Sequence, residues 1–296
     1  MEKLATDVAI FMKEFPNISF PIGDSVEAFI DYLAVNYKAF FDWIYVVASS
    51  TIKMVESTLL ATPWWVLILL VFLLGVFFTS WKSGIVYGIF LFLIGTFGLW
   101  EETMTTLAVI IISVLLSLII GIPLGILMAF SKGFSTFMRP ILDAMQTMPT
   151  FVYLIPVIFF FPLGNVPAII ATIVYALPPV MRLTELGIRT VDEDVIESAQ
   201  SFGSSRMQML FKVQLPQALP TILAGINQTT MMALSMAVVG SMVGADGLGE
   251  RVFYAINRID LSLGFEAGIS IVFLAIIIDR ITAGIAKKTQ RGGELS

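Results

Sequence analysis

Long apolar runs recur along this chain with its charges confined between them, and that pattern leaves few folds open. Such runs have no polar face to offer water. In lipid they satisfy their backbone polar groups internally as helices. Hydrophobic residues make up 57% of the 296 residues and charged residues 13%, with a mean hydropathy of +0.92, far from the averages of water-soluble domains. The expected fold class is all-α, a polytopic membrane protein. Seven runs qualify as spans: Pro63 to Trp81, Gly84 to Trp100, Met104 to Phe130, Thr147 to Leu163, Val166 to Met181, Thr221 to Gly244 and Leu263 to Ile285. The shortest reach about 25 Å at 1.5 Å per residue, so tilt or local thinning of the bilayer must help them across.

The composition also removes several kinds of chemistry. With no cysteine and no histidine, the chain lacks a disulfide framework, a thiol nucleophile and the commonest metal ligands and general bases. No glycine, four residues, Gly-Lys-Ser/Thr loop occurs, so the chain is expected to hold neither nucleotide nor metal itself. The net charge of −5 identifies no partner, and nothing points to nucleic acid. The amino-terminal MEKLATDVAIFMKEF is too acidic and too interrupted for a signal peptide.

Residues 1–62 read as a tail with an interfacial helix. Asp24 followed three positions later by Glu27 has the form of a capping box. Phe29, Ile30, Leu33, Tyr37, Phe40, Phe41, Ile44, Ala48, Ile52, Val55 and Leu59 then share one stripe, with Asp31, Lys38, Asp42, Lys53 and Glu56 opposite. An amphipathic surface helix is expected, with a further span over 40–61 or a soluble bundle helix as alternatives. Residues 63–103 hold two peripheral spans, 104–285 a core of five spans interrupted by the connection 182–220, and 286–296 a polar tail. If the seven spans alternate, Lys82, Lys132, Arg139, Arg182, Arg189, Arg206, Lys212, Lys287, Lys288 and Arg291 fall on one side, and Glu101, Glu102, Asp246, Glu250 and Asp260 with only Arg251 and Arg258 on the other. Lysine and arginine mark the cytoplasmic face, which places the amino terminus outside and the carboxy terminus inside, or both termini inside should the interfacial helix cross.

The connection between Arg182 and Pro220 is too long to join two spans and carries its own structure. Asp192, Glu193 and Asp194 put negative charge on the first turn of a helix, and Val195, Ile196, Ala199 and Phe202 give it an apolar face. Gly203 stands where a left-handed C-cap is wanted, and Ser205 with Gln208 predicts a capping box opening a second helix that Pro216 stops. Two short helices at a glycine elbow are expected, with Phe202, Leu210 and Phe211 available for burial.

Glu197, Ser198, Ala199, then Gly203, then Val213, Leu215 and Pro216 resemble the EAA, three residues, Gly, nine residues, Ile-x-Leu-Pro pattern of the permease subunits of binding-protein-dependent ABC importers. Ser198 and Val213 depart from that pattern conservatively. The strings QTMPTFVYLIP, GNVPAIIATIVYALPP, RLTELGIR, KVQLP and INQTTMMALSMAVVGSMVGADGLG are similar to the glycine betaine and proline betaine branch, with Asp246 standing where relatives commonly carry glycine. The resemblance implies the type I importer permease fold and a homodimer of the permease. It further implies that ATP and Mg are bound by partner ATPase subunits, and that an extracellular binding protein delivers the solute. It makes the segment the coupling helix, with Glu197 as polar anchor to the ATPase, Phe202 among the docking residues, Gly203 as elbow and Pro216 as rigid exit.

The translocation path is less sharply written. Asn227, Thr230, Met231, Ser241 and Met242 project into a wedge of roughly 100° on an ideal helix, either a pore wall or an interhelical seam. Tyr153, with Phe159, Phe160 and Tyr175, supplies rings for a quaternary ammonium or for packing. Pro123, Pro149, Pro156, Pro162, Pro178 and Pro179 interrupt the spans, for a cavity or for packing. Gly121 with Gly125, and Gly240 with Gly244, have the spacing of close helix approach. The interiors of spans four to six lack Asp, Glu, Lys and Arg, which disfavours an ion-coupled secondary carrier and suits a neutral or zwitterionic solute. Choline, carnitine or an amino acid remain alternatives to betaine.

Overall fold

The computed structural model describes residues 22–293, and for Ile22 and 289–293 the backbone alone. Expectations for the first 21 residues lie outside the described residues. The described chain is helical, without strands. Its elements are α1 (Ile22–Asn36), α2 (Lys38–Ala61), α3 (Trp64–Phe78), α4 (Trp81–Thr96), α5 (Trp100–Phe130), α6 (Lys132–Thr147), a 3-10 turn Thr150–Tyr153 with α7 (Leu154–Phe160), and α8 (Asn165–Arg189). They continue with α9 (Glu193–Ser201), α10 (Arg206–Met209), a π turn Leu210–Gln214, α11 (Leu215–Val239), a 3-10 turn Gly240–Val243, α12 (Leu248–Arg258) and α13 (Leu261–Gly293).

The centre of the molecule is α8, packed along its length against α5 and α11. Glycines permit that approach. Gly121 and Gly125 of α5 lie directly against Val180, Met181 and Thr184 of α8, and Gly225 of α11 against Val180 and Leu183. Removing side chains at such contacts lets backbones close to dispersion range, the main source of helix association where lipid is as apolar as the helices. α13 packs on α11 and α12, and α2 and α4 complete a core holding Ile52, Leu91, Ile94, Ile110, Ile169, Leu234 and Leu274. Pro178 and Pro179 lie inside α8 and leave the Val174 and Tyr175 carbonyls without their amide donors, in a stretch that hydroxyls of neighbouring helices brace. Thr229 donates to the Ala176 carbonyl at 2.9 Å and Ser117 to that of Ile173 at 3.4 Å. Those two bonds tie the proline-containing stretch of α8 to α11 and α5.

The exposed surfaces of α3, α4 and α5 carry Leu70, Leu73, Phe77, Ile89, Phe92, Leu115 and Ile119, a lining suited to lipid. Among the described residues five helices are long and apolar enough to cross a membrane: Lys38–Ala61, Trp100–Phe130, Asn165–Arg189, Arg206–Val243 and Leu261–Lys288.

Four differences from the sequence expectations stand out. α3 and α4 have 15 and 16 residues, about 22–24 Å, short of a hydrocarbon layer of about 30 Å. The run Thr147 to Leu163 holds only the short helical segment Thr150–Phe160, too short to cross alone, and that segment meets α6 at 116° around Pro149. Asp24 lies within the first turn of α1 rather than before it, so it adds charge at the helix start and is not the cap. The tail breaks at Tyr37, and α2 is apolar on both sides: Phe41, Ile44, Ala48, Ile52 and Val55 pack inward, while Trp43, Val46, Val47 and Met54 are exposed. Glu56, projected outward on the sequence, accepts a 2.6 Å hydrogen bond from Thr105 of α5. An isolated helical wheel assigns one buried side, whereas α2 has protein on one side and lipid-compatible surface on the other.

Candidate functional site

The longest polar connection folds as an arm hung between α8 and α11. Asp192 caps α9 by accepting from the Asp194 amide at 2.9 Å. At the other end Gly203 takes φ +81°, its amide donating to Gln200 at 2.8 Å while that of Ser204 reaches Ala199 at 3.1 Å. That pair of bonds is a Schellman closure, which needs a left-handed residue at this position. One residue later the chain restarts: the Ser205 amide donates to Gln208 Oε1 at 2.9 Å and the Gln208 amide to Ser205 Oγ at 3.3 Å, a complete capping box. The elbow is thus hydrogen-bonded on both sides.

Pro216 does not stop the second helix. α10, the π turn and α11 run on as one segment, Arg206–Val243, with Pro216 and Pro220 inside it. A proline ring collides with the carbonyl four residues back, here Lys212, and the wider π turn over Leu210–Gln214 gives it room. The arm is therefore continuous with α11 and not joined to it by a break.

Burial divides the arm into a root and a tip. Leu210 and Met209 are buried, Leu210 against Ile188, Ala218 and Ile222 with Ile122, Ile126 and Leu215 around them, and Val213 is half-buried. Glu197, Ser198, Phe202 and Pro216 are exposed, and Ala199 is half-buried. Phe202 is 92% exposed, Met207 66% and Phe211 60%. Three large apolar side chains are thus exposed on a hydrogen-bonded elbow.

A charge cluster invisible to the motif holds the root. Glu185, buried on α8, accepts from Ser135 Oγ at 2.6 Å and Arg139 at 2.9 Å on α6, and pairs with Arg189 at 3.1 Å. Arg189 also donates to the Met128 carbonyl of α5 at 2.8 Å. The i,i+4 pairing of Glu185 with Arg189 was its one legible trace in the sequence. Glu185→Ala is expected to destabilise the protein by about 2 kcal/mol, less than the roughly 3–5 kcal/mol of breaking a fully buried pair because both arginines are partly exposed and can turn to water, and to raise protease cleavage within 190–205. Unchanged cleavage would separate the cluster from the arm.

The residues read as a pore wall do not form one surface. Asn227 donates to Asp279 at 3.1 Å and accepts from Thr282, both on α13. Thr230 is buried and Met231 packs into the core. The 100° projection ends at Val239, because Gly240–Val243 turns as a 3-10 helix, burying Ser241 and exposing Met242. Tyr153 is buried, donates to the Met145 carbonyl and meets the Tyr175 ring edge-on at 5.4 Å. The exposed face of α11 instead carries Ala224, Gln228 and Ser235, small and polar where other exposed helix faces are large and apolar. Their i, i+4, i+11 spacing was available to the sequence, but nothing there showed which face stayed open.

A bundle of membrane-length helices around α8, with a hydrogen-bonded arm projecting from the ends of its two central members, defines a polytopic membrane protein. Residues 121–291 match the family described as binding-protein-dependent transport system inner membrane component, and the chain belongs to that family. It is 42% identical over 273 residues to the glycine betaine/proline betaine transport system permease protein of Escherichia coli (strain K12), covering 92% of this chain and 77% of that one. It is 44% identical over 283 residues to the glycine betaine/carnitine transport permease protein of Listeria monocytogenes serotype 1/2a (strain 10403S), covering 93% and 99%. Among solved structures, a chain of the MetNI methionine ABC transporter superposes with a TM-score of 0.57 at 24% identity, over 62% of this chain and 92% of that chain.

Proposed function

We propose that this chain forms the translocation path of an ATP-driven importer for a betaine-type compatible solute, glycine betaine or proline betaine. The observation that carries this is the arm: an apolar tip in solvent, a root locked to α5, α6 and α8, and no break between arm and α11. The names of the relatives supply the solute class. In this reading two copies of the chain pair, two ATPase subunits holding ATP and Mg seat the elbows, and an extracellular binding protein delivers the solute. The arm and the cationic cluster around Arg139, Arg182 and Arg189 face the cytoplasm with the carboxy terminus, and Asp246 and Glu250 face outside.

Because α8 and α11 are the arm's two attachments and also the most closely packed pair, displacing the arm moves both together. Their rigid-body shift opens the path to one side at a time. The Gln228 and Ser235 face of α11 is the wall the solute meets, joined near the outer end by Met242. Asn227, Thr230, Met231, Ser241 and Tyr153 act by holding that wall in place.

Reconstitution in vesicles with ATPase and binding protein, followed by ATP-dependent entry of labelled betaine, tests this reading. Uptake that persists without the ATPase would identify an ion-coupled carrier. Replacing Phe202 and Phe211 together by serine is expected to reduce ATPase co-purification at least about tenfold, as loss of two exposed aromatic anchors should. Undiminished co-purification would remove the docking role of the tip.

A further inference from the structure

At the end of the bundle away from the arm, α2, the turn leading into α8 and the Gly244–Gly247 loop line a surface cavity of about 220 Å³. Its wall includes Tyr45, Lys53 and Glu56 from α2, Asn165 at the start of α8, and Asp246. The wall carries both signs of charge, and they do not neutralise one another. Lys53 has no hydrogen bond or ion pair among the described residues, although Glu56 lies one turn along the same helix and Asp246 lines the same cavity. Both carboxylates are held in place. Glu56 takes the Thr105 hydroxyl at 2.6 Å, and Asp246 is clasped by Asn165, which donates to Oδ2 at 3.0 Å and accepts from the Asp246 amide at 2.8 Å.

Asp246 stands within the glycine-rich turn Gly244–Gly249. A side chain there fastens the loop to α8 and brings a negative charge to the cavity. The volume is below the roughly 300–1,000 Å³ of pockets for drug-sized ligands, so the occupant is a molecule of few heavy atoms. A lone cation leaves Lys53 unmatched and is repelled by it. A lone anion meets two carboxylates, and a polyol uses none of the charges. A solute with an ammonium and a carboxylate matches all three.

We propose that this cavity binds a small zwitterion, its ammonium against Asp246, Glu56 and the Tyr45 ring and its carboxylate on Lys53, as a port where solute waits beside the path. The assignment of betaine as the natural occupant rests on the importer reading above; the charge pattern of the site does not.

The test uses the assembled importer in lipid nanodiscs without binding protein, measuring equilibrium binding of labelled glycine betaine and of labelled choline, which has the ammonium but no carboxylate. Betaine is expected to bind saturably, and Lys53→Met to weaken it about tenfold, the loss of one charge-assisted contact, while choline binding does not fall. Lys53 is exposed, so the substitution removes no buried contact, and Lys53→Arg should retain betaine binding. Asp246→Asn should weaken both ligands. Equal betaine binding by wild type and Lys53→Met overturns the proposal. So does a lack of saturable betaine binding in a complex that still imports betaine once binding protein is restored. Lysine-dependent binding by a complex that hydrolyses ATP yet imports nothing upholds the site and removes the importer reading.

Discussion

Gly203→Val is expected to cut solute uptake about tenfold while the permease still inserts in the membrane and its ATPase still hydrolyses ATP. Gly203 has φ +81°, and a Cβ built there meets nothing within 4 Å, so the substitution produces no clash. What it opposes is the backbone conformation. A β-branched residue in the left-handed region costs about 1–3 kcal/mol, and about 1.4 kcal/mol lowers the population of the closed elbow tenfold. Both bonds of the closure, Gly203 to Gln200 and Ser204 to Ala199, depend on that turn. An arm without a fixed elbow still touches its partner but no longer passes on a defined displacement. Gly203→Asn, which tolerates the same region, should restore most of the uptake. Measured in proteoliposomes beside the ATPase rate, wild-type uptake by the valine variant would end the elbow's mechanical role.

Gly125→Val should have the larger effect on stability. A Cβ at Gly125 would lie 2.6 Å from the Thr184 Cβ and 2.7 Å from the Met181 carbonyl oxygen. One of these is backbone in the central helix, so no rotamer change relieves it and α5 must withdraw from α8. Overpacking of that kind costs about 3 kcal/mol or more where the neighbours cannot yield, and separation also forfeits close dispersion contacts along the seam. The readout is resistance to unfolding in mixed detergent micelles. Gly133→Ala, where a Cβ meets nothing within 4 Å, serves as control and should change little. Equal resistance of Gly125→Val and wild type would show that this seam does not set the packing of the bundle.

These residues also show where local and distant forces divide the molecule. The elbow was legible because its bonds are short-range: Asp192 to Asp194, Gly203 to Gln200, and Ser205 with Gln208 all close within a few residues. The Glu185 cluster was not, because its partners on α6 lie 46 and 50 residues away, and neither was the Asn165–Asp246 clasp across 81. The continuation through Pro216 lay between these cases. A proline is a reasonable stop on helix propensity, and the π turn that accommodates it is held by the burial of Leu210 and Leu215 against α5 and α8. The helical projection over 227–242 holds only in part for a related reason, since an ideal 100° step stops at the 3-10 turn that begins at Gly240.

The sequence by itself determined that the chain is helical and membrane-embedded, that two of its helices are joined by a capped, glycine-hinged arm, and which transport family that arm resembles. Hydropathy and capping act over one helix or less, and no distant contact alters them. The tertiary structure alone decided which glycines touch a neighbour, which face of α11 stays open and small, how α2 divides between protein and lipid, and that Lys53, Glu56 and Asp246 share one cavity. Each depends on which helices lie side by side, and in lipid that is settled by the fit of surfaces far apart in the chain.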